Sequence, residues 1–204
     1  MLMGTLTVGP LETNCYIVAP DRKSAALIVD PGAEPERILH AIKLHGLKPI
    51  YIVNTHGHSD HIQGNRVIKE RTGARILVHE EDAGLLIEHR GREASPPANL
   101  LLRDGSIIEY NSCQFRVIHT PGHTKGSICL LTGGFLFTGD TLFAGGVGRT
   151  DPPLGSHRAL ITSIRTKLLS LDGLTLVLPG HGRSSTIGYE RRNNPFLKRY
   201  ISLT

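Results

Sequence analysis

The sequence predicts an α/β (α+β) protein in which two β-sheets pack face to face and helices cover their outer surfaces. Short β-branched or alternating runs, bounded by glycine, proline or aspartate, recur along the 204 residues. Both halves of the chain pass from such runs to helical segments, and helices bury the outer faces of sheets. Hydrophobic residues make up 39% of the chain and charged residues 20%, which excludes wholesale disorder. We expect one domain over residues 1–204.

The first half of the chain begins with strand-like runs and then alternates helices with strands. Strands are predicted over residues 4–8, 15–19, 25–29, 50–54 and 75–79. Helices are predicted over residues 35–45, 62–71 and 80–89. Pro35 suits the first position of its helix, where an N–H group would have no partner, and Gly46 ends that helix. Residues 91–99 contain Ser95-Pro96-Pro97 and are predicted to form a loop.

The second half is richer in strands. They are predicted over residues 106–110, 114–119, 127–131, 135–138 and 174–178. Residues 139–155 are rich in glycine and proline, so we expect a loop there. Ser156 is a good N-cap for a helix that runs to about residue 169.

Composition and charge exclude several classes of protein. No apolar run approaches the ~18 residues of a membrane span. No Lys or Arg precedes Arg22, so we expect no secretory signal, no membrane association and a cytoplasmic location. The net charge of +5 is modest and aromatic residues are only 5%, so we expect no nucleic-acid partner. The three cysteines are interpreted as buried reduced thiols: Cys15, Cys113 and Cys129.

The strongest chemical signal is the segment His56-x-His58-x-Asp60-His61, which follows a predicted strand directly. Side chains alternate along an extended chain, so His56 and His58 point to the same side. Asp60 and His61 can face a second point as the chain turns into a helix. This pattern favours two adjacent metal ions over one.

Three further polar residues also come just after predicted strands, and a glycine directly precedes each of them. They are His123, Asp140 and His181. A small residue at such a point lets the backbone approach a shared centre closely. Five His and two Asp are enough for two divalent ions that share a carboxylate and a hydroxide. Zinc is the first expectation, while iron and manganese also accept mixed His and carboxylate ligands.

The order of these residues resembles the metallo-β-lactamase superfamily. The family pattern is an Asp after an early strand, then His-x-His-x-Asp-His, and then His, Asp and His. The matching positions are Asp30, residues 56–61, His123, Asp140 and His181. The resemblance implies a four-layer αββα sandwich, and it implies that Asp30 lies behind the ligands and holds the ligand loop. It further implies one metal on His56, His58 and His123, a second on Asp60, His61 and His181, and Asp140 bridging the two.

Within that superfamily the chain is similar to small bacterial glyoxalase II (hydroxyacylglutathione hydrolase)-like proteins. The segments that carry this similarity are Thr55-His56-Gly57-His58, His119-Thr120-Pro121-Gly122-His123-Thr124, Thr138-Gly139-Asp140-Thr141-Leu142-Phe143 and Asn194-Pro195-Phe196-Leu197. Full-length glyoxalase II has a C-terminal helical domain that supplies much of the glutathione site, and residues 182–204 are too few for it. Arg149 and Asp151 stand where the full-length enzyme has a lysine and a tyrosine. Arg149 is therefore the candidate residue for binding a substrate carboxylate.

The leading functional hypothesis is a thioesterase that cleaves a substrate such as S-lactoylglutathione with a hydroxide held between two metals. Asp60 and Asp140 are the candidate catalytic residues, because either carboxylate can take the proton. The alternative is a persulfide dioxygenase with one iron on His56, His123 and Asp140, since family members of that class share these motifs. A nuclease or lactonase is a weaker alternative, and the oligomeric state is left open. Without a secretion signal, we do not expect a β-lactamase.

The remaining histidines have no partner at metal-ligand spacing and are interpreted as structural or surface residues. They are His40, His45, His79, His89, His119 and His157.

Overall fold

The computed structural model of the protein describes residues 1–88, 94–151 and 153–201, with backbone alone at 199–201. His89, the end of the helix predicted over residues 80–89 and the start of the loop predicted over 91–99 lie outside the described residues.

The first sheet contains six strands that neighbour one another in chain order. They are β1 (Leu2–Val8), β2 (Thr13–Ala19), β3 (Ala25–Val29), β4 (Lys48–Val53), β5 (Arg75–His79) and β6 (Leu100–Leu102). β1, β2 and β3 pair antiparallel, whereas β3 to β6 pair parallel. Because parallel strands end at the same edge, the segments that follow β3, β4 and β5 come together there.

The second sheet is mostly antiparallel. Its strands are β7 (Ile107–Tyr110), β8 (Cys113–His119), β9 (Ile128–Thr132), β10 (Phe135–Gly139), β13 (Leu176–Pro179) and β14 (Ser185–Thr186). They lie in the order β14-β13-β10-β9-β8-β7. Between β10 and β13, the short strands β11 (Leu142–Phe143) and β12 (Gly146–Val147) form a small separate hairpin. β10 and β13 run parallel, so Asp140 and Gly180, the first residues after them, also share an edge.

Helices lie on the outer face of each sheet. They are α1 (Pro35–Leu44), α2 (Ser59–Ile62), α3 (Asn65–Thr72), α4 (Ala83–Glu88), α5 (His157–Ser163), α6 (Ile187–Asn193) and α7 (Pro195–Ile201). A 3₁₀ turn over Glu80–Asp82 precedes α4, and a π-helical turn over Ile164–Leu168 continues α5. Within the described part of the chain, no helix is both long and apolar enough to cross a bilayer.

Three apolar clusters divide the interior into layers. The central cluster joins the two sheets, with Leu27 and Val53 of the first facing Phe115 and Phe137 of the second. A second cluster packs α1, α3 and α4 on the first sheet, and a third packs α5, α6 and α7 on the second. The predicted four-layer αββα sandwich is confirmed. The three cysteines are buried and free, as predicted.

Several predicted boundaries were wrong. The helix predicted over 62–71 begins at Asn65 instead, and the short helix α2 precedes it. Between the two helices, Gly64 donates its N–H to Pro31 O at 2.8 Å. Strand β6 was missed, since three consecutive leucines show no alternation. The predicted loop over 139–155 contains the β11–β12 hairpin, and helices α6 and α7 were not predicted.

Candidate metal centre

All seven predicted ligand residues lie together at one edge of the sandwich, where strands of both sheets end. Residues 56–61 follow β4, and single residues follow β8, β10 and β13 on the other sheet. Their side-chain nitrogens and oxygens form three groups, within each of which the ligand atoms lie within 4.8 Å of one another. The groups are His56, His58 and His123; His56, His61 and Asp140; and Asp60, His61 and His181.

The first of these groups, here called the buried triad, consists of His56, His58 and His123. The Nε2 atoms of His56 and His123 are 3.3 Å apart, although the two residues come from different sheets. The ring of His58 stands edge-on to both, with centroids 4.8 Å from His56 and 4.6 Å from His123. His56 is 1% exposed and His123 8%.

The open triad consists of Asp60, His61 and His181. The Nε2 atoms of its two histidines are also 3.3 Å apart. Asp60 Oδ2 lies 3.4 Å from His61 Nε2 and 3.3 Å from His181 Nε2. The side chains of Asp60 and His181 are 23% and 26% exposed, while that of His61 is fully buried.

The carboxylate of Asp140 lies between the two triads. Its Oδ1 is 3.5 Å from His61 Nε2, and its Oδ2 is 3.6 Å from both His123 Nε2 and His181 Nε2. Oδ1 is buried, and no described residue donates a hydrogen bond to it. Gly180 makes this approach possible, because a Cβ at that position would lie 2.3 Å from Asp140 Oδ1.

Hydrogen bonds fix the tautomer of four of the five histidines. His61 Nδ1 lies 3.0 Å from Asp30 Oδ2, His123 Nδ1 2.7 Å from Arg149 O, and His181 Nδ1 2.8 Å from Leu11 O. These oxygens can only accept, so each Nδ1 carries the proton. His56 Nδ1 lies 3.1 Å from Thr55 Oγ1 and donates to it, because that hydroxyl donates its own proton to Asp30. Each Nε2 lone pair is thereby left for the centre, as in metal-binding histidines.

A cation suits this donor set. When both rings of such a pair are neutral, two Nε2 lone pairs 3.3 Å apart repel each other unless a cation lies between them. Nitrogens bound about 2.0–2.1 Å from a tetrahedral zinc ion lie about 3.3–3.4 Å apart, which matches the observed separation in both triads. The partnerless Oδ1 of Asp140 is a further acceptor that a cation would satisfy.

The close packing of histidines and carboxylates in the site shifts their pKa values. Burial, followed by the neighbouring His61 and His123, lowers the pKa of His56 well below its usual value. Burial also acts against a charged His61, but the carboxylates of Asp140 and Asp30 overcome it and raise its pKa to about 9. Burial acts to raise the pKa of Asp60, yet its hydrogen bond with His181 holds that pKa well below the usual range.

Asp30 lies behind the ligands, where the family resemblance expects it. Its Oδ2 accepts from His61 Nδ1 at 3.0 Å and from Thr55 Oγ1 at 2.6 Å, while Oδ1 accepts from Thr55 N at 2.7 Å. It therefore orients His61 directly and His56 through Thr55. Asp30 is 1% exposed and has a left-handed backbone, with φ of 49°.

Two supporting residues were missed by sequence reasoning. Asn14 Nδ2 donates to Pro179 O at 3.0 Å and to Gly182 O at 2.9 Å, which fastens the loop of His181 to β2. Asp82 accepts hydrogen bonds from both loops that carry the buried triad. Neither residue stands in a metal-ligand pattern, so the sequence carried no signal for them.

A cleft of about 600 Å³ opens onto the centre. Its wall includes residues of both triads and Asp140, and its rim includes apolar side chains: Leu11, Phe143, Pro153 and Leu154. Arg149, the predicted substrate residue, lines the cleft with a side chain that is 86% exposed. Its Nε lies 3.3 Å from Asp151 Oδ2, so the guanidinium of Arg149 forms an ion pair with Asp151 at the entrance of the cleft.

Two curated relatives resemble the chain over nearly its whole length. The hydroxyacylglutathione hydrolase GloC of Haemophilus influenzae is 38% identical, over 94% of this chain and 96% of its own length. An uncharacterised protein of Aquifex aeolicus is 37% identical, over 96% of this chain and 97% of its own length.

Solved structures share the fold. The B3 metallo-β-lactamase BLEG-1 matches with a TM-score of 0.89 and 34% identity, over 96% of this chain and 99% of that one. ETHE1 from Myxococcus xanthus has a TM-score of 0.84 at 31% identity, over 96% and 84% of the two chains. TTHA1623 in a di-iron-bound form has a TM-score of 0.80 at 35% identity, over 95% and 100%.

The sequence model of one protein family, the metallo-beta-lactamase superfamily, matches residues 8–181 of the chain. That range contains both triads, Asp30 and Asp140. The chain belongs to the metallo-β-lactamase superfamily and shares its fold.

Proposed function

We propose that this protein is a binuclear metal-dependent hydrolase that cleaves thioesters of the hydroxyacyl-glutathione type. The buried triad would hold one ion, the open triad a second, and Asp140 would bridge them. The observation that carries the proposal is that hydrogen bonds orient the histidines of the open triad as they do those of the buried triad. His61 and His181 each have a dedicated Nδ1 partner, in Asp30 and in the carbonyl of Leu11, just as two histidines of the buried triad do.

When bound, such ions lower the pKa of a coordinated water to about 7 and polarise the substrate carbonyl. The chain itself supplies position and charge. Asp60 and Asp140 both line the cleft, and we assign to them the orientation of the attacking water and the acceptance of its proton. Water adds its oxygen to the thioester carbonyl carbon, the C–S bond breaks, and the products are a carboxylate and a thiol.

The rim of the cleft suits a small acyl group beside a polar carrier. Leu11, Phe143 and Leu154 offer apolar contact, while Arg149 is the cation available to a carboxylate of the carrier. Its pairing with Asp151 must be broken or shared when an anionic carrier binds. The named activity of the Haemophilus influenzae relative supports glutathione thioesters as the first substrates to assay.

The test is metal content of the purified protein together with turnover of S-lactoylglutathione in the same samples. We expect about two metals per chain and hydrolysis, with His181→Ala reducing the content to about one and kcat/KM by more than about 100-fold. Arg149→Ala should mainly raise KM. Two metals without turnover of any thioester tested would overturn the proposal, and nitrocefin in parallel assays reports β-lactamase activity.

A second candidate is the mononuclear-iron persulfide dioxygenase. The three residues that it would need, His56, His123 and Asp140, lie close together: the Nε2 atoms of the two histidines are 3.3 Å apart, and Asp140 Oδ2 is 3.6 Å from His123 Nε2. One iron per chain, no hydrolysis, and oxygen uptake with glutathione persulfide would support it. His181→Ala separates the two candidates, because a dioxygenase that uses those three ligands should keep its iron.

A further inference from the structure

Asp82 is a buried carboxylate that the proposed chemistry does not use. It ends the 3₁₀ turn between β5 and α4 and is 1% exposed. We propose that Asp82 is a positioning residue that holds the buried triad together and leaves the open triad to other supports. The inference rests on the proposed function only in taking the triads as metal sites.

The carboxylate connects loops that come from different sheets. Oδ2 accepts from Gly57 N at 2.9 Å and from Thr124 Oγ1 at 2.7 Å, and Oδ1 accepts from Gly126 N at 2.7 Å. Gly57 lies between His56 and His58, and Thr124 directly follows His123. One side chain is thus bonded to backbone or side-chain groups adjacent to all three residues of the buried triad.

The contact is built for a carboxylate. A Cβ on Gly126 would lie 2.6 Å from Asp82 N and 2.7 Å from Asp82 Oδ1, so a larger residue there would displace the aspartate. Both oxygens of Asp82 face donors. An asparagine would therefore turn its NH₂ toward at least one N–H group, leaving a buried donor without its acceptor.

The open triad is supported from elsewhere. His61 is oriented by Asp30, His181 by Leu11 O, and the loop of His181 by Asn14. The recorded hydrogen bonds of Asp82 reach none of its three residues. Loss of Asp82 should consequently weaken metal binding at one triad and spare the other, whereas a general structural defect would weaken both.

The experiment compares the metal-free full-length wild type with Asp82→Asn in zinc titrations against a chelator of known affinity. Histidine ring ¹H–¹⁵N spectra report which rings bind. We expect the buried-triad rings to need about 10- to 100-fold more free zinc in Asp82→Asn, with the open-triad rings unchanged. Asp104→Asn is the matched control, because Asp104 accepts from His119 N at 2.8 Å and from Lys167 on the surface.

Thr124→Val serves if Asp82→Asn does not fold, since it removes the hydroxyl that bonds to Asp82 and to Ser127 Oγ and keeps both backbone bonds of Asp82. It should weaken zinc binding at the buried triad by about 2- to 10-fold, because Asp82 loses one of its three hydrogen bonds. Equal weakening of both triads, or no weakening of either, overturns the assignment. Zinc binding is read without turnover, so a failure to hydrolyse thioesters would not count against Asp82.

Discussion

The two triads of the metal centre differ in how far they are enclosed. The buried triad draws His56 and His58 from the first sheet and His123 from the second, and its two best-packed rings are 1% and 8% exposed. In the open triad, Asp60 and His181 keep 23% and 26% of their side-chain surface. An ion in the buried triad would lie where the two sheets meet, while an ion in the open triad would face the cleft.

The residues that hold the two triads in place by hydrogen bonds also differ. Asp82 lies between the loops of the buried triad, whereas Asp30 serves both triads: it accepts from His61 directly and reaches His56 through Thr55. His181 of the open triad depends instead on a main-chain carbonyl in the turn before β2 and on the amide of Asn14. Asp60 and His181 are partly exposed, and the hydrogen bonds of Asp82 go to groups beside the buried triad, so we expect the open triad to lose its metal first.

Asp140 joins the triads, and its removal should have the largest effect. Asp140→Asn keeps the shape but loses the charge that faces His61, His123 and His181. Both metals should be lost or weakened, and kcat/KM for a thioester should fall by more than about 100-fold. Metal analysis and turnover on the same sample measure both effects.

Asp151→Asn is the matched control for Asp140→Asn, because Asp151 lies in the same cleft and pairs with Arg149 outside both triads. It should retain two metals. If Asp140→Asn retains two metals and full turnover, the triads do not work as one centre.

The ligands could be predicted from sequence because metal sites impose residue types and spacing. The segment His56-x-His58-x-Asp60-His61 is dense enough to stand out, and the structure brings the residues predicted at strand ends together with it. Supports such as Asn14 and Asp82 carry no such pattern, because their role depends on distant backbone groups brought near by the fold. Asn14 bonds to Pro179, 165 positions away.

The same distinction holds for the fold. Helix α1 was predicted almost to the residue because Pro35 and Gly46 fix its ends locally. Strand β6 escaped prediction because Leu100–Leu102 becomes a strand by parallel pairing with β5, a tertiary contact. The bond of Gly64, between α2 and α3, to Pro31 is likewise a contact from outside the helical segment.

Asn14→Ala tests the weaker support of the open triad and should have an intermediate effect. It removes two hydrogen bonds that hold the loop of His181, to Gly182 O and to Pro179 O, although Pro179 O still accepts from the hydroxyl of Tyr16. We expect a cost of about 1–3 kcal/mol, at about 0.5–1.5 kcal/mol for each hydrogen bond. Zinc in the open triad should exchange faster and bind more weakly, as measured by chelator competition. Asn193→Ala, which removes an exposed amide bonded to Tyr189 O, is the control. If Asn14→Ala weakened zinc binding only at the buried triad, Asn14 would not be a support of the open triad.

The smallest expected effect lies behind the buried triad, at His79. Its Nδ1 accepts from Glu81 N at 3.3 Å and so caps the turn that carries Asp82, and its ring stacks on His119 with centroids 3.9 Å apart. Burial, followed by His119, lowers the pKa of His79, against the opposing pull of nearby carboxylates such as Glu80.

A depressed histidine pKa contributes stability that is present above the unfolded-state pKa of about 6.5 and is lost as pH falls through the folded-state value. The contribution of His79 to the free energy of unfolding of the metal-free protein, measured in urea, should therefore decrease from pH 7 to pH 5. His79→Asn keeps an acceptor near Nδ1 but does not titrate, so its decrease should be smaller. His40→Asn, at an exposed position of α1, should follow the wild type. If the free energies of unfolding of His79→Asn and of the wild type change equally with pH, protonation of His79 does not destabilise the protein.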